Sequence, residues 1–146
     1  MKAKDIMSVP VIEVFESASV QHAAQVMAAH ATGILVVTDD DGRMRGVVTD
    51  RDLLLRSVAV GLDPAALTVS ECVSGLGSTG GQLVTVHMED DLEDVIEVMR
   101  KAGIHRVLVT QDGVRAAGLI SFEEIAVDVK HYLDEFLSVA SRYHKL

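Results

Sequence analysis

Two short stretches of this chain place a hydroxyl three residues ahead of a carboxylate, where an apolar strand-like run gives way to a helix. They are Thr49 with Asp52, and Ser121 with Glu124. That pattern is a helix cap, in which the hydroxyl and the acid each satisfy a free backbone N–H. The same geometry also suits a nucleotide. A helix N-terminus presents unpaired N–H groups and a positive dipole end to a phosphate. A carboxylate one turn on can then accept both hydroxyls of a ribose. A third feature, His105-Arg106, opens an apolar strand. An Arg in that position is explained by a guanidinium facing an anion, or by pairing with one of the chain's 22 acidic residues. The matching positions upstream are Gly33 and Ile34, so two clefts built on this plan would be chemically unequal.

These residues sit inside a repeat. Met27 to Leu53 and Met99 to Ile125 carry nearly the same pattern 72 residues apart, with Gly46 matching Gly118, Thr49 matching Ser121 and Asp52 matching Glu124. A unit repeated in this way cannot bury its apolar face alone and packs against its copy. Each copy reads as strand, helix, strand, strand, helix. Val11–Val14 is strand-like, and Val20, Ala23, Ala24 and Met27 then form one helical face at i, i+3, i+4, i+7. Leu83–Val86 with Leu92, Val95, Ile96 and Met99 repeats this. Strands follow at Ile34–Val37 and Val107–Val109. The turns Asp41-Gly42 and Asp112-Gly113 then lead to second strands at Gly46–Val48 and Gly118–Ile120. The fold class expected is α/β (α+β), with two β-α-β-β-α units packed sheet to sheet about a pseudo-two-fold axis.

Three further signals lie outside the units. Asp63-Pro64 has the form of a helix start, and Thr68 to Glu71 that of a second capping box. Gly75–Gly81 reads as a flexible loop between the copies. The C-terminal apolar stripe Ile125, Val129, Tyr132, Phe136, Val139 and Tyr143 extends the last helix and needs cover, from its own domain by default or else from another subunit. The expected organisation is residues 1–67 for the first repeat with its connector, 68–128 for the second, and 129–146 for a helical extension.

Composition excludes several classes. A formal net charge of −9 with no Lys/Arg run disfavours nucleic acid and anionic membranes as partners. The start of the chain lacks the apolar stretch of a signal peptide, and no run approaches a membrane span. The expectation is a soluble, cytoplasmic protein. With aromatics at 3%, the core must be aliphatic. The single Cys72 cannot form an internal disulfide and has no neighbouring His or basic residue to activate it. None of the six histidines pairs at the i, i+4 spacing of a metal site. No catalytic motif and no metal site is expected.

The repeat resembles a tandem pair of cystathionine-β-synthase-type (CBS) domains, the arrangement called a Bateman module. The resemblance rests on G-V-V-T-D-R-D-L, G-L-I-S-F-E-E-I, the G-I-H-R-V-L-V strand and the Asp5–Ser8 opening, and covers the chain to about residue 128. The stretch Ala59–Pro64 is similar to that of small stand-alone bacterial members, including the hypoxic-response type. The resemblance implies adenosine compounds bound between the repeats (AMP, ADP, ATP, S-adenosylmethionine or NAD). It also implies a homodimer and an output passed to an effector protein. By the same resemblance Asp52 would hold ribose, and Thr49, His105 and Arg106 would reach phosphate. Arg51 would stand nearby, with the base against the region around Val11. In the second cleft Ser121, Glu124 and Gly33 depart from the family pattern, because Glu124 replaces an Asp and Gly33-Ile34 replaces His-Arg.

Three functional classes follow. The first is a non-enzymatic regulatory module that binds an adenine nucleotide and needs no obligatory cofactor. The second is a ligand-free interaction scaffold in which both hydroxyl–carboxylate pairs only cap helices. The third is an enzyme using the same cleft.

Overall fold

The computed structural model describes residues 1–73 and 83–143, with the backbone alone for 132, 135, 136 and 139–143. Two three-stranded sheets account for the repeat. In the first, β1 (Glu13–Phe15) runs parallel to β2 (Ile34–Thr38), which pairs antiparallel with β3 (Met44–Thr49). In the second, β4 (Thr85–His87), β5 (Arg106–Thr110) and β6 (Ala116–Ser121) repeat that order and register. The helix α2 (Val20–His30) follows β1, and α4 (Leu92–Ala102) follows β4. The first hairpin leads into α3 (Asp50–Leu53), the second into α5 (Phe122–Tyr143). The α/β class and paired-sheet architecture expected from the sequence are those observed.

Strand alternation divides the apolar residues between two jobs. Leu35, Val37 and Val48 face α2 and α3 and join Val20, Ala23, Met27 and Leu53 in one core. Val107, Val109 and Ile120 do the same with Val95, Met99 and Ile125 in the second. The intervening residues Val36, Val47 and Leu108 form a third cluster, with Leu119 and Ile34 beside them, and this cluster joins the two repeats. The helix N-caps differ: Ser19 Oγ accepts from the His22 N–H at 3.0 Å, whereas Asp91 at the start of α4 makes no such bond. Both helices end on a left-handed residue, Gly103 in α4 but Ala31 in α2, where a Cβ opposes the conformation.

The segment leading into each repeat packs on the other repeat. The short helix α1 (Ala3–Ile6) buries Ala3 in the second core and packs Ile6, with Met7 just beyond the helix, against it. Residues 69–71 form a 3₁₀ turn that buries Val69 and Cys72 in the first. Each segment makes a one-residue bridge to the opposite helix cap, Lys2 with Asp91 and Thr68 with Ser19. Burial pushes the Cys72 thiol up from its ordinary pKa. The capping box expected at Thr68–Glu71 is present, with Glu71 Oε2 accepting from the Thr68 N–H at 2.8 Å.

Other sequence expectations turn out differently. Asp63-Pro64 starts only a turn. Asp63 Oδ1 accepts from the Ala65 N–H and the Asp63 carbonyl from the Ala66 and Leu67 N–H groups, while the carbonyls of Pro64 and Leu67 accept from the Gln21 and Val20 N–H groups of α2. Beyond α3 the chain widens into a π-helix, Leu54–Val58, where the buried Ser57 hydroxyl bonds back to the Leu53 carbonyl. In α5 the stripe is buried at Ile125 and about half exposed at Val129. The side chains of Tyr132, Phe136, Val139 and Tyr143 lie outside the described residues, as does the loop Gly75–Gly81. Among the described residues no helix is long and apolar enough to cross a membrane.

Candidate functional site

At the end of the inter-repeat interface where β3 and β6 run into their helices, a cleft of about 280 Å³ opens between the sheets. Its lining is apolar at Pro10, Val11 and Ile12 ahead of β1, at Ile34 and Val36 on β2, and at Leu119 on β6. It is polar at Ser8, Thr32, Arg106, Ser121, Glu123 and Glu124.

Register places the polar groups. Arg106 pairs with Ser121 across β5 and β6. Both share the strand parity of Leu108 and Leu119, which face the other repeat. The Arg106 side chain therefore points into the cleft, and among the described residues no carboxylate lies within 4.0 Å of it. Its charge acts on Glu123, which lines the same cleft. That carboxyl is held below its ordinary pKa, first by its own backbone N–H and then by Arg106, Ser121 and His105. Ser121 and Glu124 form a complete cap: the Ser121 N–H donates to Glu124 Oε2 at 2.8 Å, and the Glu124 N–H to Ser121 Oγ at 3.2 Å. The other oxygen of Glu124, Oε1, accepts from the Ser8 hydroxyl.

Of the residues singled out in the sequence, Val11, Arg106, Ser121 and Glu124 meet in this cleft. Thr49 and Asp52 form the equivalent cap of α3, with the Thr49 N–H donating to Asp52 Oδ2 at 2.9 Å and the Asp52 N–H to Thr49 Oγ1 at 3.2 Å. Thr49 shares the inward parity of Val47. The residues that precede β4 as Ser8–Val11 precede β1 fall largely within 74–82, outside the described residues. Arg51 is exposed on the first turn of α3.

His105 does not line the cleft with Arg106. It lies one residue before β5, with opposite parity, in an outer apolar groove of about 480 Å³ with Ile96, Met99, Phe122 and Ile125. Its ring meets Phe122 edge-on, with centroids 6.3 Å apart at 84°. Gly33 is its counterpart, and there a Cβ would come within 2.9 Å of Asp50 Oδ2. The backbone contact is the same in both repeats, Asp50 N–H to Gly33 O at 2.9 Å and Phe122 N–H to His105 O at 2.8 Å. Positions 33 and 105 therefore answer to the first residue of the following helix. Only the Ile34-to-Arg106 difference reaches the cleft.

Sequence reasoning did not single out Ser8, Thr32 or Glu123 as site residues. A signal for Ser8 exists: Asp5-Ile6-Met7-Ser8 recurs as Glu71-Cys72-Val73-Ser74, at an offset of 66 rather than 72. Chemically, the lining offers one cation, three hydroxyls and two acids among apolar side chains. It holds no His or Lys to activate either serine. Among the described residues no three His, Cys, Asp or Glu side chains stand close enough to share a metal ion.

Comparison with known proteins places this arrangement. Hypoxic response protein 1 of Mycobacterium tuberculosis is 32% identical over 124 residues, covering 85% of this chain and 82% of that protein. The crystal structure of Hypoxic Response Protein I with two coordinated zinc ions superposes with a TM-score of 0.71 at 31% identity, covering 86% of this chain and 97% of that one. A CBS domain protein from Pyrobaculum aerophilum complexed with AMP gives a TM-score of 0.70 at 25% identity, covering 85% and 89%. The CBS domain profile itself matches residues 3–59 and 78–130. Those two segments carry the two three-stranded sheets, and the chain belongs to the CBS domain family as a tandem pair.

Proposed function

We propose that this chain is a regulatory module that binds an adenosine-containing anion such as AMP, ADP or ATP in the inter-repeat cleft. Binding is reported by a change in how the two repeats, or two copies of the chain, pack against each other and against an effector protein. The observation that carries this reading is Arg106, a guanidinium turned into a half-apolar cleft with no carboxylate within 4.0 Å among the described residues. A phosphate there gains charge-assisted bonds from Arg106 and the Ser121 hydroxyl at the α5 N-terminus. Ribose falls toward Glu124, and the base lies against Val11, Ile12 and Ile34. The AMP complex of the Pyrobaculum aerophilum relative supports the ligand class. The volume sits at the small end of ligand pockets, suiting a compact nucleotide.

Calorimetry and thermal shift with AMP, ADP, ATP, NAD(H) and S-adenosylmethionine test the reading. At 100 times its dissociation constant a ligand adds about 2.7 kcal/mol of stability. Arg106→Ala should weaken binding roughly 10- to 100-fold, the loss of one or two bonds to a charged group, while the unliganded melting temperature stays within a degree or two. Asp52→Ala tests the first repeat's cap: unchanged affinity leaves Thr49 and Asp52 outside the ligand site.

A second reading, a ligand-free scaffold, is favoured by one observation. Both Glu124 oxygens already hold protein donors, and Thr49 and Asp52 close on each other. If millimolar ligand leaves melting unchanged across the panel, the scaffold is the better account.

A further inference from the structure

Each repeat leaves an apolar groove between its two helices open to solvent. In the second repeat it is the groove of about 480 Å³ beside Phe122, and in the first a groove of about 360 Å³ lined by Asp50, Leu54 and Val58. Large side chains stand out of both: Leu54 is 54% exposed, Val58 64% and Phe122 58%. Apolar surface gathered in this way marks a contact face.

The residues at matched positions say what covers it. Along α3 and the π-helix the exposed row runs at steps of four through Asp50, Leu54 and Val58. The matching row on α5, 72 positions on, is Phe122, Ala126 and Lys130. Rows of this spacing are the ridges along which packed helices interlock. Laid antiparallel, the two rows set Asp50 on Lys130, Leu54 on Ala126 and Val58 on Phe122. An acid meets a base, a large side chain a small one, and an aliphatic group a ring. Among the described residues neither Asp50 nor Lys130 forms an ion pair within its own chain. A row laid on its own copy fits worse. The first would bury Asp50 against Val58 with no opposite charge, and the second would centre two alanines on each other. The rows cannot meet within one chain. They lie on the helical sides of two sheets whose other faces pack together around Val36, Val47 and Leu108.

We propose that the Asp50–Val58 row of one copy docks antiparallel on the Phe122–Lys130 row of a second copy, so that the chain associates with itself through unlike repeats. The inference rests on the packing of two copies in the functional reading above and is independent of the ligand, because none of the six side chains lines the inter-repeat cleft. Each contact joins two different surfaces, and every copy carries one of each.

Sedimentation and disulfide trapping of the full chain test it. The wild type is expected to sediment as a dimer or larger. Asp50→Lys and Lys130→Asp should each weaken association about tenfold by setting like charges together, and the double variant should regain it. Leu54→Cys and Ala126→Cys, oxidised separately, should stay uncrosslinked and should form a disulfide when mixed, because bridged Cα atoms must lie within about 7 Å. The natural Cys72 is buried and takes no part. A monomeric wild type overturns the inference, as does a double variant no tighter than the singles or a Leu54→Cys variant that crosslinks to itself. Calorimetry with AMP on the same variants keeps the two readings apart: wild-type affinity in a variant that no longer associates leaves nucleotide binding standing by itself.

Discussion

At the scale of single residues, the pair that differs most between the repeats is two independent differences. Gly33-Ile34 and His105-Arg106 are adjacent in sequence, yet successive residues entering a strand point to opposite faces. His105 meets Phe122 outside, and Arg106 enters the cleft. Gly33 matches Asp50 as His105 matches Phe122, small against charged and ring against ring. All four identities were legible in the sequence, but not which of them touch. A second residue-level feature is Asp112. Its Oδ1 accepts from the Val114 and Arg115 N–H groups at 2.8 Å each, with Thr110 Oγ1 at 3.3 Å, and these bonds hold the carboxyl below its ordinary pKa. A depressed carboxyl contributes stability above its unfolded value, about 3.9, and loses it as pH falls through the folded value. Asp112→Asn should therefore melt below the wild type at pH 7, with the gap closing as melts are taken toward pH 3. A constant gap at every pH would show that the charge contributes nothing.

At the scale of elements, the exchange of leading segments explains a glycine. Gly118 lies under Met7, and a Cβ there would sit 2.7 Å from Met7 Cγ and 2.9 Å from its Cβ. Gly118→Ala should cost about 1–3 kcal/mol by overpacking, read as a lower denaturant midpoint. Adding Met7→Ala should return part of that loss, and a strictly additive double variant would mean the clash is relieved elsewhere. The helices were readable because a single face is buried in each, and the strands because short apolar runs buried on both faces stand between turn signals. The turn at Asp63 and the π-helix at Leu54–Val58 were not. There the backbone carbonyls accept from groups outside the local pattern, the α2 N–H groups in one case and the Ser57 hydroxyl in the other. Those donors lie in other elements, or in a side chain whose burial only packing fixes.

At the scale of the whole molecule, the two repeats are held by a small aliphatic cluster, of which Leu108 is the fully buried centre. Leu108→Ala should destabilise by about 2–5 kcal/mol. It should also retain one cooperative transition, because each repeat also lends its leading segment to the other's core. Two resolved transitions in a calorimetric melt would show that the repeats fold independently. The duplication, the order of elements, the capping pairs and the family were all set by the sequence, since each depends on local spacing and residue type. The cleft's membership was set only by the tertiary structure. Sequence reading placed His105 with Arg106 and passed over Ser8. Strand parity sends the first away, and the exchange of segments brings in the second across 116 positions. Local pattern determines what each residue can do, while the packing of one repeat on the other decides which residues do it together.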